Sequence, residues 1–206
     1  MTGLRERQKA DRHRRILSAA VARFRRDGFH AARMEDLAGD AEVSVGTLYN
    51  YYGTKGDLLM ATVAMEVEEV LARGEAVIAD PPDSAEEALL RLTWTYYDHS
   101  LEWLSKEMWR AAIALSVQEP HTPNGRRYAE LDARLAGQVG RLLARLQERG
   151  RLHPALPPAV VGQVLFNNLN AMFIDFVRDD AMDLDTLKAR VARQTRPLAR
   201  MMETVR

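Results

Sequence analysis

Apolar residues recur at three- and four-residue intervals along almost the whole chain, and no stretch alternates with the period of two that a half-buried strand requires. That spacing confines the chain to an all-α fold of about nine helices. Ile16, Leu17, Ala20, Val21 and Phe24 form one stripe, predicting a helix from about Asp11 to Arg26 that Gly28 ends. Met34, Leu37, Ala38 and Ala41 predict a short second helix over 34–40. Ser44 can cap a third, over 44–52, which Gly53 stops. Three short helices, the last two joined by a tight turn, read as a helix-turn-helix module. Asp57 then opens a long helix to about Ala79, broken at Pro81-Pro82. Ser84 and Glu87 form a capping-box signature for a helix running to about Leu104. Further helices are expected over 106–118, from about Arg126 to Arg149, over 158–178, and from about Asp185 to Met202 with Pro197 inside it. Residues 119–125 read as a loop from their Pro and Gly content. The expected division is a helix-turn-helix head at 1–56 and a larger helical body at 57–206.

The chain has 206 residues and no cysteine, so it has neither a disulfide framework nor thiolate chemistry. Its first 15 residues are charged and polar, unlike a secretory signal, and no uninterrupted run of 18 apolar residues occurs. A cytoplasmic protein with no membrane partner is expected. The formal net charge is zero, but it is unevenly spread: residues 1–55 carry 11 Lys and Arg against 7 Asp and Glu, a net of +4, and the remainder carries −4. Arg5, Arg7, Lys9, Arg12, Arg14 and Arg15 crowd the start. A basic segment beside a short donor-rich helix is an electrostatic footprint for phosphate; taken alone, such a charge run can equally be a solvated tail.

Residues 43–59 carry the functional signal. Thr47, Tyr49 and Tyr51 sit on the short third helix, with Lys55 just beyond, and each can donate to a phosphate oxygen. Val45 and Gly46 are small enough at its front for a major groove. Leu48 and Tyr52 supply the inward pair one turn apart, which turns Tyr49 and Tyr51 outward. Asn50 also faces outward, where an amide can read adenine.

Taken together, Ser44, Gly46, Thr47, Leu48, Tyr49, Tyr51, Tyr52, Lys55, Leu58 and Leu59 resemble the signature of the TetR family of transcriptional regulators. Asp36-Leu37-Ala38 and Ala41, and Gly28-Phe29 before them, fit the same register, so the resemblance covers about residues 14–60. It implies a homodimer binding a near-palindromic DNA operator, with a small ligand entering the body and releasing the DNA. Val45, Gly46 and Thr47 then stand at the front of the recognition helix, Tyr49 and Tyr51 resemble its phosphate or base contacts, and Lys55 resembles a phosphate-gripping lysine at the start of the fourth helix. Two positions depart from the pattern. Arg33 replaces the usual capping Thr, which costs about 1 kcal/mol of cap but offers a guanidinium to DNA. Glu42 replaces the usual Gly of the turn, where a positive φ would strain it by roughly 1–2 kcal/mol.

The body says less. Trp94 and Tyr97 on one helix, and Trp109 and Ile113 on the next, are equally ordinary core residues or pocket lining for a largely apolar ligand. Asn167, Asn168 and Asn170 interrupt the most apolar helix; buried amides need partners, which could be a ligand, a twin across a dimer axis or a backbone carbonyl. Asn167 and Asn170 join the candidate ligand residues. Leu165, Leu169, Met172, Phe173 and Phe176, with Leu187, Val191 and Leu198 of the last helix, are the candidate dimer interface by the family likeness.

Enzymatic readings find no support. The five histidines are far apart in sequence, and no Glu-x-x-His pair, His-Glu-x-x-His, P-loop or G-x-G-x-x-G occurs. No metal or cofactor is expected. The sequence-level reading is a ligand-responsive transcriptional regulator, most simply a repressor. Its competitors are a helical small-molecule-binding or scaffold dimer without specific DNA binding, which Glu42 favours, and an activator with the same head.

Overall fold

The structure is a computed structural model describing residues 2–204, with the side chains at positions 2, 4 and 5 outside that description. Arg5 of the basic segment is therefore not described beyond its backbone. Among the described residues nine helices run in order: α1 (Thr2–Asp27), α2 (Met34–Asp40), α3 (Val45–Tyr51), α4 (Lys55–Ala79), α5 (Ala85–His99), α6 (Lys106–Gln118), α7 (Pro123–Glu148), α8 (Pro158–Arg178) and α9 (Leu184–Met202). Among the described residues the sole β feature is a bridge between Leu152 and Glu203, which ties the end of α9 to the α7–α8 turn through His153 N–H on the Met202 carbonyl at 2.9 Å.

Where helix limits differ from expectation, local propensity or capping is the cause. α1 starts at Thr2 rather than near Asp11, because the Arg, Glu, Gln, Lys and Ala of the basic segment are all strong helix formers. α4 starts at Lys55. Thr54 Oγ1 accepts from Asp57 N–H at 3.1 Å and Asp57 returns the bond to Thr54 N–H at 2.8 Å, a reciprocal cap. α5 stops at His99 instead of Leu104; the Ser100 hydroxyl bonds the Tyr97 carbonyl at 2.8 Å, and Ser105 caps α6 afresh. α7 begins at Pro123, with Thr122 Oγ1 accepting from Gly125 N–H at 3.2 Å and proline in the first helical position. α9 continues through Pro197.

The chain forms two compact units, one of residues 1–65 with 103–128, the other of 66–102 with 129–206. These boundaries cross the expected division at residue 56: α6 and the first turn of α7 pack with the head. In the first unit, Ile16, Ala20 and Phe24 of α1, Leu37 of α2, Leu48 of α3 and Leu58 of α4 are almost fully buried. Arg23 of α1 grips Asp40 of α2 with both arms of its guanidinium, at 2.7 Å each, fixing α2 on α1. Asp27, held by Arg26 and Arg23, is lowered to about 2.

The second unit has its own core, including Leu89 and Leu92 of α5, Leu142 and Leu146 of α7, and Leu165 and Phe166 of α8. α7 and α8 meet with almost nothing between them, since a Cβ on Gly162 would lie 2.6 Å from the Cα of Gly140. α8 has the length and apolarity of a membrane span, yet Leu165, Leu169, Phe173, Phe176 and Val177 are buried within the fold. α4 and the end of α5 are joined by a buried charge cluster. His99 Nδ1 lies 2.7 Å from Glu66, and its Nε2 lies 3.0 Å from Glu69 and 3.1 Å from Glu102. Desolvation pushes Glu66 up to about 7, against the pull of His99.

Candidate nucleic-acid interface

The α2–α3 pair presents a short helix on a fixed base. Ser44 caps α3, its Oγ accepting from Thr47 N–H at 3.0 Å and lying 2.7 Å from the Thr47 hydroxyl. Leu48 is fully buried and Tyr52 nearly so, as their spacing predicts. The opposite face is open: Tyr49 is 46% exposed and Val45 38%, and Gly46 and Asn50 are exposed as well. Thr47 and Tyr51 are half-buried. A Cβ added at Gly46 would meet no atom within 4 Å, so the fold itself does not require glycine there. Tyr52 donates to or accepts from His13 Nε2 at 2.6 Å, and the His13 ring lies 6.4 Å from that of Tyr51. Sequence reasoning passed over His13; its place three residues before Ile16, on the rim of the α1 stripe, was the available signal. Burial pushes the Tyr52 phenol up to about 12.

Arg33 and Lys55 flank α3. Arg33 precedes α2 with no side-chain cap, as its substitution for Thr predicts, and its exposed guanidinium lies 3.6 Å from Glu35. Lys55 is more than a surface charge. Its ammonium donates to the carbonyls of His30 at 2.8 Å and Ala32 at 3.0 Å and sits 4.9 Å from the centre of the Phe29 ring. An ammonium has three N–H groups, so one is left for a phosphate. Desolvation lowers the Lys55 pKa.

Glu42 adopts the left-handed conformation that the turn demands, with φ 53°, so the substitution leaves the turn intact and strained. Its side chain is 85% exposed and lies 3.6 Å from Arg15, which also bonds the Ala41 carbonyl at 3.4 Å. A carboxylate that would repel phosphate thus has a guanidinium beside it.

The candidate ligand and dimer residues are placed differently from expectation. Trp109 and Ile113 belong to the first compact unit; Trp94, Tyr97, Asn167 and Asn170 belong to the second. Tyr97 is core, its hydroxyl bonded to the Leu169 carbonyl at 2.9 Å and its ring stacked on Phe173. Trp94 is half-buried, with the Lys188 ammonium 5.5 Å from its ring centre. Asn167 is exposed and bonded to Gln163 at 2.8 Å; Asn170 is bonded to Asp132 at 3.3 Å, and burial pushes Asp132 up to about 6. A groove of about 520 Å³ between α7 and α8 and one of about 490 Å³ between α4 and α7 are lined by none of these six. The stripe Leu165, Leu169, Met172, Phe173 and Phe176 turns into the core of its own unit, as do Leu187 and Val191; only Leu198 of the expected dimer set is exposed. The outward face of α8 is a different stripe, Val160, Val164, Asn167 and Ala171, which sequence reasoning missed because the stronger apolar stripe lay beside it. Met201 is exposed one turn from Leu198 on α9.

A capped seven-residue helix with an open donor-bearing face, set on two helices by a tight turn, defines a helix-turn-helix DNA-binding protein. Residues 16–62 match the family described as bacterial regulatory proteins, tetR family. The HTH-type transcriptional repressor KstR of Rhodococcus jostii (strain RHA1) is 30% identical over 142 residues, which is 68% of this chain and 59% of the repressor, less than two thirds of its length. In fold, a TetR-family transcriptional regulator from Pectobacterium atrosepticum is similar at a TM-score of 0.75 and 20% identity, over 98% of each chain. FadR of Thermus thermophilus, a TetR-family transcriptional repressor solved in complex with lauroyl-CoA, is similar at a TM-score of 0.65 and 20% identity, over 94% of this chain and 95% of that one. Residues 16–62 therefore carry the DNA-binding segment of the tetR family of bacterial regulatory proteins, and the whole chain shares the fold of TetR-family regulators.

Proposed function

We propose that the protein is a cytoplasmic, ligand-responsive repressor that binds a palindromic DNA operator as a homodimer and is released by a small-molecule effector. The observation that carries this reading is the open face of α3, where Val45, Gly46, Tyr49 and Asn50 project from a helix whose opposite side is locked by Leu48 and Tyr52. Residues 1–56 read DNA, with Arg33, Thr47, Tyr51 and the remaining N–H of Lys55 on phosphates, and residues 57–206 supply effector binding and dimerisation. Two copies joined through the exposed α8 stripe and Leu198 and Met201 of α9 would present recognition helices to successive major grooves, ~34–36 Å apart. The pairing of Glu42 with Arg15 weakens the case for a head that has lost DNA binding. The lauroyl-CoA held by the similarly folded Thermus repressor supports a largely apolar effector.

Fluorescence anisotropy tests the reading, using duplexes from the region upstream of the coding sequence and a scrambled control. Sequence-dependent binding that weakens steeply with salt is expected, together with a loss of affinity on adding lauroyl-CoA as the first apolar probe. Equal, weak binding to both duplexes would overturn the repressor assignment; unchanged affinity with lauroyl-CoA would remove acyl thioesters from the effector class.

A further inference from the structure

We propose that Glu107 of α6 and Asn124 of α7, neither in the helix-turn-helix, are positioning residues for DNA binding that hold Lys55 in place. This rests on the regulator reading above. Gly28, at φ +84°, turns the chain sharply out of α1, and the next N–H, that of Phe29, is donated outside that helix. Glu107 Oε1 accepts that N–H at 3.0 Å. The carboxylate lies so close that a Cβ at Gly28 would be 3.1 Å and 3.2 Å from its two oxygens. Glycine at 28 therefore meets two demands at once, the left-handed backbone and the room for the anchor. Glu107 also stands in the first turn of α6, where a carboxylate is favoured by the helix dipole.

The turn that Glu107 anchors is the one Lys55 grips. The Phe29 ring lies under the ammonium, and the next two bonds from it go to His30 and Ala32. With two of its three N–H groups fixed on this turn, the direction of the third follows from where the turn sits. Asn124 acts from the other side, its amide donating to Asp57 Oδ1 at 2.7 Å while Asp57 Oδ2 caps the start of α4 at Thr54 N–H, 2.8 Å. Lys55 is thus bracketed by two hydrogen bonds, both from residues 103–128, which form one compact unit with the head. α6 and the start of α7 thus carry part of the address of a DNA contact.

The test compares Glu107→Ala, Glu107→Gln and Asn124→Ala on a duplex selected from a random-sequence pool with the unaltered protein. Hydrogen exchange at the Phe29 amide is read in parallel. Glu107→Ala should lose about tenfold in affinity for the selected duplex and exchange Phe29 faster. Glu107→Gln keeps an acceptor oxygen and should restore both to within about twofold, which a general loss of packing would not do. Asn124→Ala should lose affinity with Phe29 exchange unchanged, and it carries the test if Glu107→Ala fails to fold. Folded variants that bind as tightly as the parent would overturn the positioning role. A parent protein that selects no duplex would overturn the regulator reading, and this one with it.

Discussion

Gly46 faces open space in a helix, a place where alanine is intrinsically better by up to about 1 kcal/mol. Nothing in the isolated fold accounts for the glycine; on the proposed reading, a DNA backbone or base edge approaching the front of α3 would. Gly46→Ala is therefore expected to raise stability slightly in urea unfolding and to weaken operator binding by tenfold or more. A variant that gains stability and keeps its affinity would take Gly46 off the interface. Glu42 shows the opposite balance. It carries backbone strain in the turn, retained alongside its approach to Arg15. Strain at one residue and a missing side chain at another both sit within five positions of Ser44, the residue that sets where α3 begins.

Among the elements, the junction of α4 with the end of α5 is the one most open to pH. Glu66 is raised to about 7 from an ordinary 4.5, and it faces His99, with Glu69 and Glu102 on the far ring nitrogen and Arg73 3.7 Å from Glu102. A carboxyl whose folded pKa is raised stabilises the fold fully below about 4.5, and that contribution is lost as pH climbs through about 7. Glu66→Gln, which mimics the protonated form, should gain on the parent by up to about 3 kcal/mol between those limits. Denaturant unfolding at pH 4.5 and 7.5 measures it, and an unchanged difference between the two proteins would mean that Glu66 is not the titrating group. This cluster was not legible in the sequence. Glu66, His99 and Glu102 come from separate elements, and only burial makes their meeting matter. What was legible followed from local rules: the stripes of α1, the Ser44 cap, the Leu48–Tyr52 pair and the stop at Gly28, which adopts φ +84°. The caps at Thr54 and Thr122 obey the same rules but were masked by loop-like neighbours, so α4 and α7 begin earlier than expected. Which of two parallel stripes on α8 points inward depends on what α7 and α9 present to it, and periodicity alone does not decide that.

For the molecule as a whole, the outward stripe of α8 sets how the proposed homodimer is probed. Leu169 is 7% exposed and Val164 62%, so the two positions answer different questions. Val164→Arg should give a folded monomer in light scattering with helical content retained. Leu169→Arg should lower thermal stability sharply, because a charge is forced into a core with no partner. If Val164→Arg stays dimeric, the interface lies off the exposed α8 stripe. The separation of charge along the chain, +4 in residues 1–55 and −4 beyond, fits the same division of labour, with the positive part meeting phosphate.

The crossing of α7 and α8 at Gly140 and Gly162 has a consequence for evolution as much as for mechanics. Two backbones in contact leave no rotamer to adjust and no side chain to trim, so the usual remedy for a bad core substitution, a compensating change in a neighbour, does not exist there. A Cβ on Gly162 would have to displace the main chain of α7 itself. Exposed faces elsewhere can drift as partners change, but this crossing can diverge only if both helices move apart together.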